Sequence, residues 1–142
     1  MERRAYLAAL GTGSLAALAG CSAVLGGGSS LAEDEYDVGM SASAFQPNYS
    51  EVGVGETLVW GNTSGRSHTV TAYAGGIPDG AAYFASGDFD SQDAAEAGWT
   101  QFEGAIEPGT TYSHTFEVPG EYSYYCIPHE AMGMQGTVVV TE

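Results

Sequence analysis

From Tyr36 to the C-terminus the chain breaks into short runs rich in valine, threonine and tyrosine, each ended by glycine, proline or asparagine. This pattern leaves room for strands and almost none for helices. Thr57-Leu58-Val59-Trp60 stops at Gly61-Asn62, and His68 to Tyr73 alternates Val70 and Ala72 against Thr69 and Thr71. Tyr112 to Val118 ends at Pro119-Gly120, and Glu121 to Cys126 and Gly136 to Thr141 supply two more runs. With Tyr36 to Met40 and the segment from Trp99 to Ile106, the total is about seven or eight strands. The expected fold is therefore all-β, a Greek-key β-sandwich. One short helix is expected at Ser91 to Ala97, within a glycine- and aspartate-rich excursion over residues 74–98 to which no chemistry is attached. A hydrophobic fraction of 44% in 142 residues fills one core, not two.

Charge restricts the partners. Eighteen acidic residues oppose three basic ones, all arginines, for a formal net charge of -15. Nucleic acid is excluded as a partner, because a polyanion needs a basic surface to displace its counterions. The carboxylates are scattered from Glu51 to Glu142, which reads as a solvated acidic surface and not as a catalytic cluster. Such a surface resembles those of proteins adapted to high salt, where the screening length falls to roughly 3 Å and charge steering is lost. Recognition would then rest on apolar contact.

The chemistry is concentrated between two of the runs, in Tyr124-Tyr125-Cys126-Ile127-Pro128-His129-Glu130-Ala131-Met132-Gly133-Met134. A thiol, an imidazole and a thioether within nine residues, joined by a second imidazole, make the ligand set of a blue-copper electron-transfer site. His68, at the start of a strand after Gly65-Arg66-Ser67, is the expected second imidazole. His114 is the other candidate; it shares strand parity with Tyr112, Phe116 and Val118 and is expected to be a structural, hydrogen-bonded histidine instead. The thioether has two candidates as well, Met132 and Met134.

These residues resemble the plastocyanins, and more closely the halocyanins, small membrane-attached copper proteins of extreme halophiles. The resemblance runs from about Val54 to Glu142 and is carried by Asn62 to Val70 with His68, Gly120 to Cys126, Pro128-His129, and Gly133-Met134 leading into Gly136 to Val140. It implies a cupredoxin fold over 36–142 and one copper ion, with His68, Cys126 and His129 in a trigonal plane and Met134 axial. It also implies an electron port at His129, within an apolar rim that includes Pro128 and Met132, and a second route through Tyr125. Thr69 stands where plastocyanins usually carry an asparagine that braces the cysteine loop.

The resemblance implies a carrier and not an enzyme. The blue-copper enzymes couple their site through a His-Cys-His run, whereas Cys126 is flanked by Tyr125 and Ile127, and a dinuclear copper site would need a second cysteine in the loop. A copper-delivery protein is the alternative function.

Residues 1–21 have the layout of a signal peptide. Arg3-Arg4 precede an apolar run from Leu7 to Ala19, too short for a comfortable span and similar to a twin-arginine signal. Leu18-Ala19-Gly20-Cys21 resembles a lipobox with Cys21 as the lipidated mature N-terminus. Residues 22–35 then form a glycine-, serine- and acid-rich tether about 20 Å from end to end. The expected location is the outer face of the cell membrane, where a monomeric domain meets membrane-bound redox proteins.

Overall fold

The computed structural model describes residues 31–142. The signal peptide, Cys21 and most of the tether lie outside the described residues. Eight strands form two sheets: β1 (Val38–Met40), β2 (Phe45–Gln46), β3 (Tyr49–Gly53), β4 (Thr57–Asn62), β5 (Thr71–Ala72), β6 (Thr111–Thr115), β7 (Gly120–Tyr125) and β8 (Gln135–Thr141). One sheet has the order β2-β1-β4-β6 and the other β3-β8-β7-β5. Pairs β1/β4 and β3/β8 run parallel and the rest antiparallel. This is the expected all-β sandwich.

The two-residue period of a strand explains how the sheets close on each other. In β8, Gly136, Val138 and Val140 are buried while Gln135 and Thr141 are exposed, the alternation of a sheet with one face on a core. Tyr122 and Tyr124 of β7 face the same way. From the opposite sheet come Val38, Met40, Leu58 and Trp60, with Phe84 and Phe116 closing the sides. Trp60 and Tyr124 meet edge to face across the core with centroids 5.3 Å apart, and Phe45 meets Tyr124 at 4.7 Å, a geometry that aligns ring edges with ring faces. The Tyr122 hydroxyl donates to the Val118 carbonyl at 2.6 Å, pinning the turn that leads into β7.

Strands β2 and β3 were not expected from the sequence, and three further details differ. Strand β4 continues through Gly61 to Asn62, because the Tyr36 ring lies on Gly61 so closely that a Cβ there would sit 2.8 Å from it. The run from His68 to Tyr73 is a strand only at Thr71–Ala72, preceded by a single bridge between His68 and Ile106. No strand forms from Trp99 to Ile106. Trp99 ends helix α1 (Gln92–Trp99), and the chain then turns with positive φ at Phe102 and Gly104. The helix was expected, and Ser91 caps it by accepting from the Ala94 amide at 3.1 Å.

Candidate metal centre

Strands β7 and β8 fix the two ends of the loop from Cys126 to Met134. The Cys126 amide donates to the Met134 carbonyl at 3.1 Å, closing the neck, and a 3-10 turn (Ile127–Met132) fills the interior. Gly133 ends the turn at φ +87, a left-handed conformation that a side chain would strain. This reversal is what separates the two methionines. Met134 points into the core and is fully buried, whereas Met132 is 61% exposed.

His68 arrives from the other sheet, at the end of the turn that follows β4. Its backbone is held on both sides, its amide donating to the Ile106 carbonyl at 3.2 Å and its carbonyl accepting from the Ile106 amide at 2.7 Å. The turn itself is organised by Asn62, which is fully buried and fully satisfied. Its amide group donates to the carbonyls of Arg66 (2.6 Å) and Ile106 (2.7 Å), and its oxygen accepts from the amide (2.9 Å) and hydroxyl (2.8 Å) of Ser64. Ser64 Oγ in turn lies 3.0 Å from His68 Nε2. The Ser64 hydroxyl donates to Asn62, so its oxygen can accept from Nε2, the tautomer that leaves the Nδ1 lone pair free.

That lone pair faces sulfur. Cys126 Sγ is 3.5 Å from His68 Nδ1 and 3.4 Å from His129 Nδ1, and the three donor atoms lie within 4.8 Å of one another. Burial, reinforced by the neighbouring His129, lowers the His68 pKa from 6.5 to about 4, and burial likewise lowers that of His129. Both imidazoles are neutral at neutral pH, as metal ligands must be. Burial raises the Cys126 pKa, opposed by the Thr69 and His129 amides. A buried thiol between two free imidazole nitrogens fits a soft or borderline cation, and the donor set accommodates a single copper ion.

Thr69 does brace the loop. Its hydroxyl oxygen accepts from the Ile127 amide at 2.9 Å and lies 3.0 Å from Thr71 Oγ1, while its amide donates to Cys126 Sγ at 3.4 Å. A Thr69→Val variant keeps the shape and removes the acceptor. It is expected to lose about 1 kcal/mol of unfolding free energy in urea denaturation while keeping its copper stoichiometry.

His114 is not part of the group. It lies in β6 and stacks on Phe84 at 4.6 Å and 18°, with Phe116 edge-on at 4.8 Å. The candidate exchange of His114 for His68 is thereby overturned, since no other imidazole joins Cys126 and His129. Burial lowers the His114 pKa below its ordinary 6.5 despite the opposing Glu117 charge. Below pH 6.5 the unfolded chain takes up a proton that the folded chain refuses, so stability falls as pH drops through that value. His114→Phe is expected to flatten this loss, read as a smaller difference in urea midpoint between pH ~7.5 and ~5.5.

The 74–98 excursion, left without a role by the sequence, covers one flank of the loop. The Tyr125 hydroxyl donates to Glu96 of α1 and accepts from Gln92 at 3.1 Å, and the Tyr73 ring stacks on Tyr125 at 4.4 Å. Tyr125 is consequently closed to solvent. Asn62, Ser64 and this helix are the contributors the sequence reading did not single out. An asparagine two residues before a serine in a turn that precedes a histidine was the available signal.

Residues 32–141 match the family model of copper-binding proteins of the plastocyanin/azurin type. The chain belongs to this family. It is 34% identical over 129 residues to the chloroplastic plastocyanin of Hordeum vulgare, covering 89% of this chain and 74% of the plastocyanin. It is also 36% identical over 97 residues to the plastocyanin of Vicia faba, covering 68% and 87%. Among solved structures, pseudoazurin from Methylobacterium extorquens AM1 superposes with a TM-score of 0.54 at 24% identity, over 74% of this chain and 73% of that one. That likeness supports the fold. Within this plastocyanin-like cupredoxin, copper is the cofactor that the His68, Cys126 and His129 donors suit.

Proposed function

We propose that this cupredoxin is a blue-copper electron carrier whose copper would be held by His68, Cys126, His129 and Met134. The observation that carries the reading is the convergence of two imidazole nitrogens and one thiol sulfur, with a fully buried methionine at the end of the same loop. When bound, copper supplies the Cu(II)/Cu(I) couple. The chain's part is to hold the ligands still: the two cross-bonds to Ile106 hold His68, Thr69 holds the loop, and the neck at Cys126 and Met134 joins it to two strands. Rigid ligands keep the rearrangement between oxidation states small, and the amide on Cys126 Sγ tunes the sulfur.

His129 is the proposed port for electrons, framed by Pro128 and Met132. Half-buried Ile127 and Pro128 and exposed Ala131, Met132 and Gly133 supply an apolar rim, suited to partners met in high salt. The covering of Tyr125 by Glu96, Gln92 and Tyr73 favours this single port over the second route of the plastocyanins. The sequence of residues 1–35 supports a halocyanin-like arrangement: export, lipid on Cys21, and membrane-bound redox partners at the outer face. Among the described residues no helix is long and apolar enough to cross a membrane. Convergence of two of the chain's three histidines with Cys126, and the third in an aromatic stack, favours a carrier over a multicopper enzyme.

Titration of the metal-free chain with Cu(II), followed by visible absorption, tests the reading. One equivalent is expected to develop an intense thiolate-to-copper band. Uptake without colour would favour a copper-delivery protein instead.

A further inference from the structure

The donors of the metal centre are shut away from solvent. His68, Cys126 and Met134 are 0% exposed and His129 7%. An ion arriving from solution therefore cannot first meet the cysteine or the buried methionine. The same loop nevertheless offers a sulfur outward. Among the described residues Met132 is the one sulfur open to solvent, because Met40, Cys126 and Met134 are all buried.

Its position in the turn ties it to the centre. A 3-10 turn has three residues per revolution, so side chains at i and i+3 eclipse. Within the turn from Ile127 to Met132, Met132 stands one such revolution after His129. The reversal at Gly133 then sends Met134 to the inside. The loop thus holds two thioethers on either side of one glycine, one exposed and one buried.

Thioether sulfur is a soft ligand that selects Cu(I), whereas Cu(II) is better served by imidazole. We propose that Met132 is the capture ligand for incoming Cu(I), taking the ion at the surface and handing it to His129, one revolution earlier in the turn. The ion keeps its oxidation state in this transfer, and Met132 neither gains nor loses a proton. When the ion reaches the interior, the Cys126 thiol releases its proton to solvent as it becomes a ligand. The inference rests on the copper reading above and adds an entry path to it.

If Met132 is only an apolar part of the rim, leucine serves as well, since Met-to-Leu conserves volume and hydrophobicity. The test mixes the metal-free full chain, as wild type and as Met132→Leu, with a coloured Cu(I) chelate under anaerobic conditions and separately with a Cu(II) salt. Uptake rates are followed by stopped flow. Met132→Leu is expected to slow Cu(I) uptake roughly tenfold, the lower end of what losing one supporting group does to a metal site. Cu(II) uptake and the final stoichiometry should stay unchanged. Equal Cu(I) rates in the two proteins, or equal slowing with both ions, overturns the capture role while leaving the buried site standing. A wild-type chain that takes up neither ion overturns the copper reading itself.

Discussion

Replacing Cys126 with serine is expected to give a chain that binds Cu(II) weakly and stays colourless. The thiol is the one soft anionic donor in the His68, Cys126 and His129 group, and it lies 3.4 to 3.5 Å from both imidazole nitrogens. A serine hydroxyl does not ionise in a buried site, so the ion would have two neutral imidazoles and no thiolate to absorb light. The fold should survive, because the serine oxygen can still accept from the Thr69 amide that now approaches the sulfur. The cost of burying that hydroxyl is about 1–3 kcal/mol. Copper titration monitored by visible absorption, beside a thermal melt of the metal-free variant, separates loss of the ligand from loss of the fold. A variant that remains intensely blue would mean that Cys126 is not the sulfur ligand.

Asn62→Leu is expected to have the second largest effect, at a residue that touches no metal. Leucine nearly matches the shape of asparagine but removes one of the two donors to the buried Ile106 carbonyl, which keeps only the His68 amide, and the closer donor to the Arg66 carbonyl. It also removes the acceptor for the Ser64 amide and hydroxyl. Each hydrogen bond lost is worth about 1 kcal/mol, so an overall loss of about 3 kcal/mol is expected in urea denaturation. The freed Ser64 hydroxyl can then donate to His68 Nε2, which would move the imidazole proton to Nδ1, the atom that faces Cys126. Copper affinity, measured by competition with a chelator, should fall by roughly 10- to 100-fold. The blue band should persist in the loaded variant because the thiolate is untouched.

Cys126 and His129 were legible in the sequence because they share one short loop with Met134, and His68 because it follows a glycine turn, although the strand expected there begins only at Thr71. The strands with a clear two-residue alternation, β7 and β8 above all, were legible for the same local reason. Strand β3 was not. Its burial is partial throughout, with Tyr49 and Glu51 exposed, and it is specified by parallel pairing with β8 across a separation of more than eighty residues. The Trp99 to Ile106 segment was expected as a strand although its apolar residues, Trp99, Phe102 and Ile106, fall every three or four positions and lack a strand's two-residue period. Trp99 closes a helix, Phe102 sits in a tight turn with its ring 72% exposed, and only Ile106 reaches the core. The hydroxyl of Thr69 could not be assigned from sequence, since its partner Ile127 lies 58 residues away and the bond depends on how two loops meet. The choice of Met134 over Met132 rested on family spacing, and the left-handed turn at Gly133 leaves Met132 exposed and Met134 buried.

Voltammetry of the copper-loaded chain tests the central claim most directly. A carrier whose ligands are held by two sheets should give one reversible one-electron wave that persists on repeated cycling. An irreversible wave, or none from a chain that demonstrably holds one copper, would contradict it.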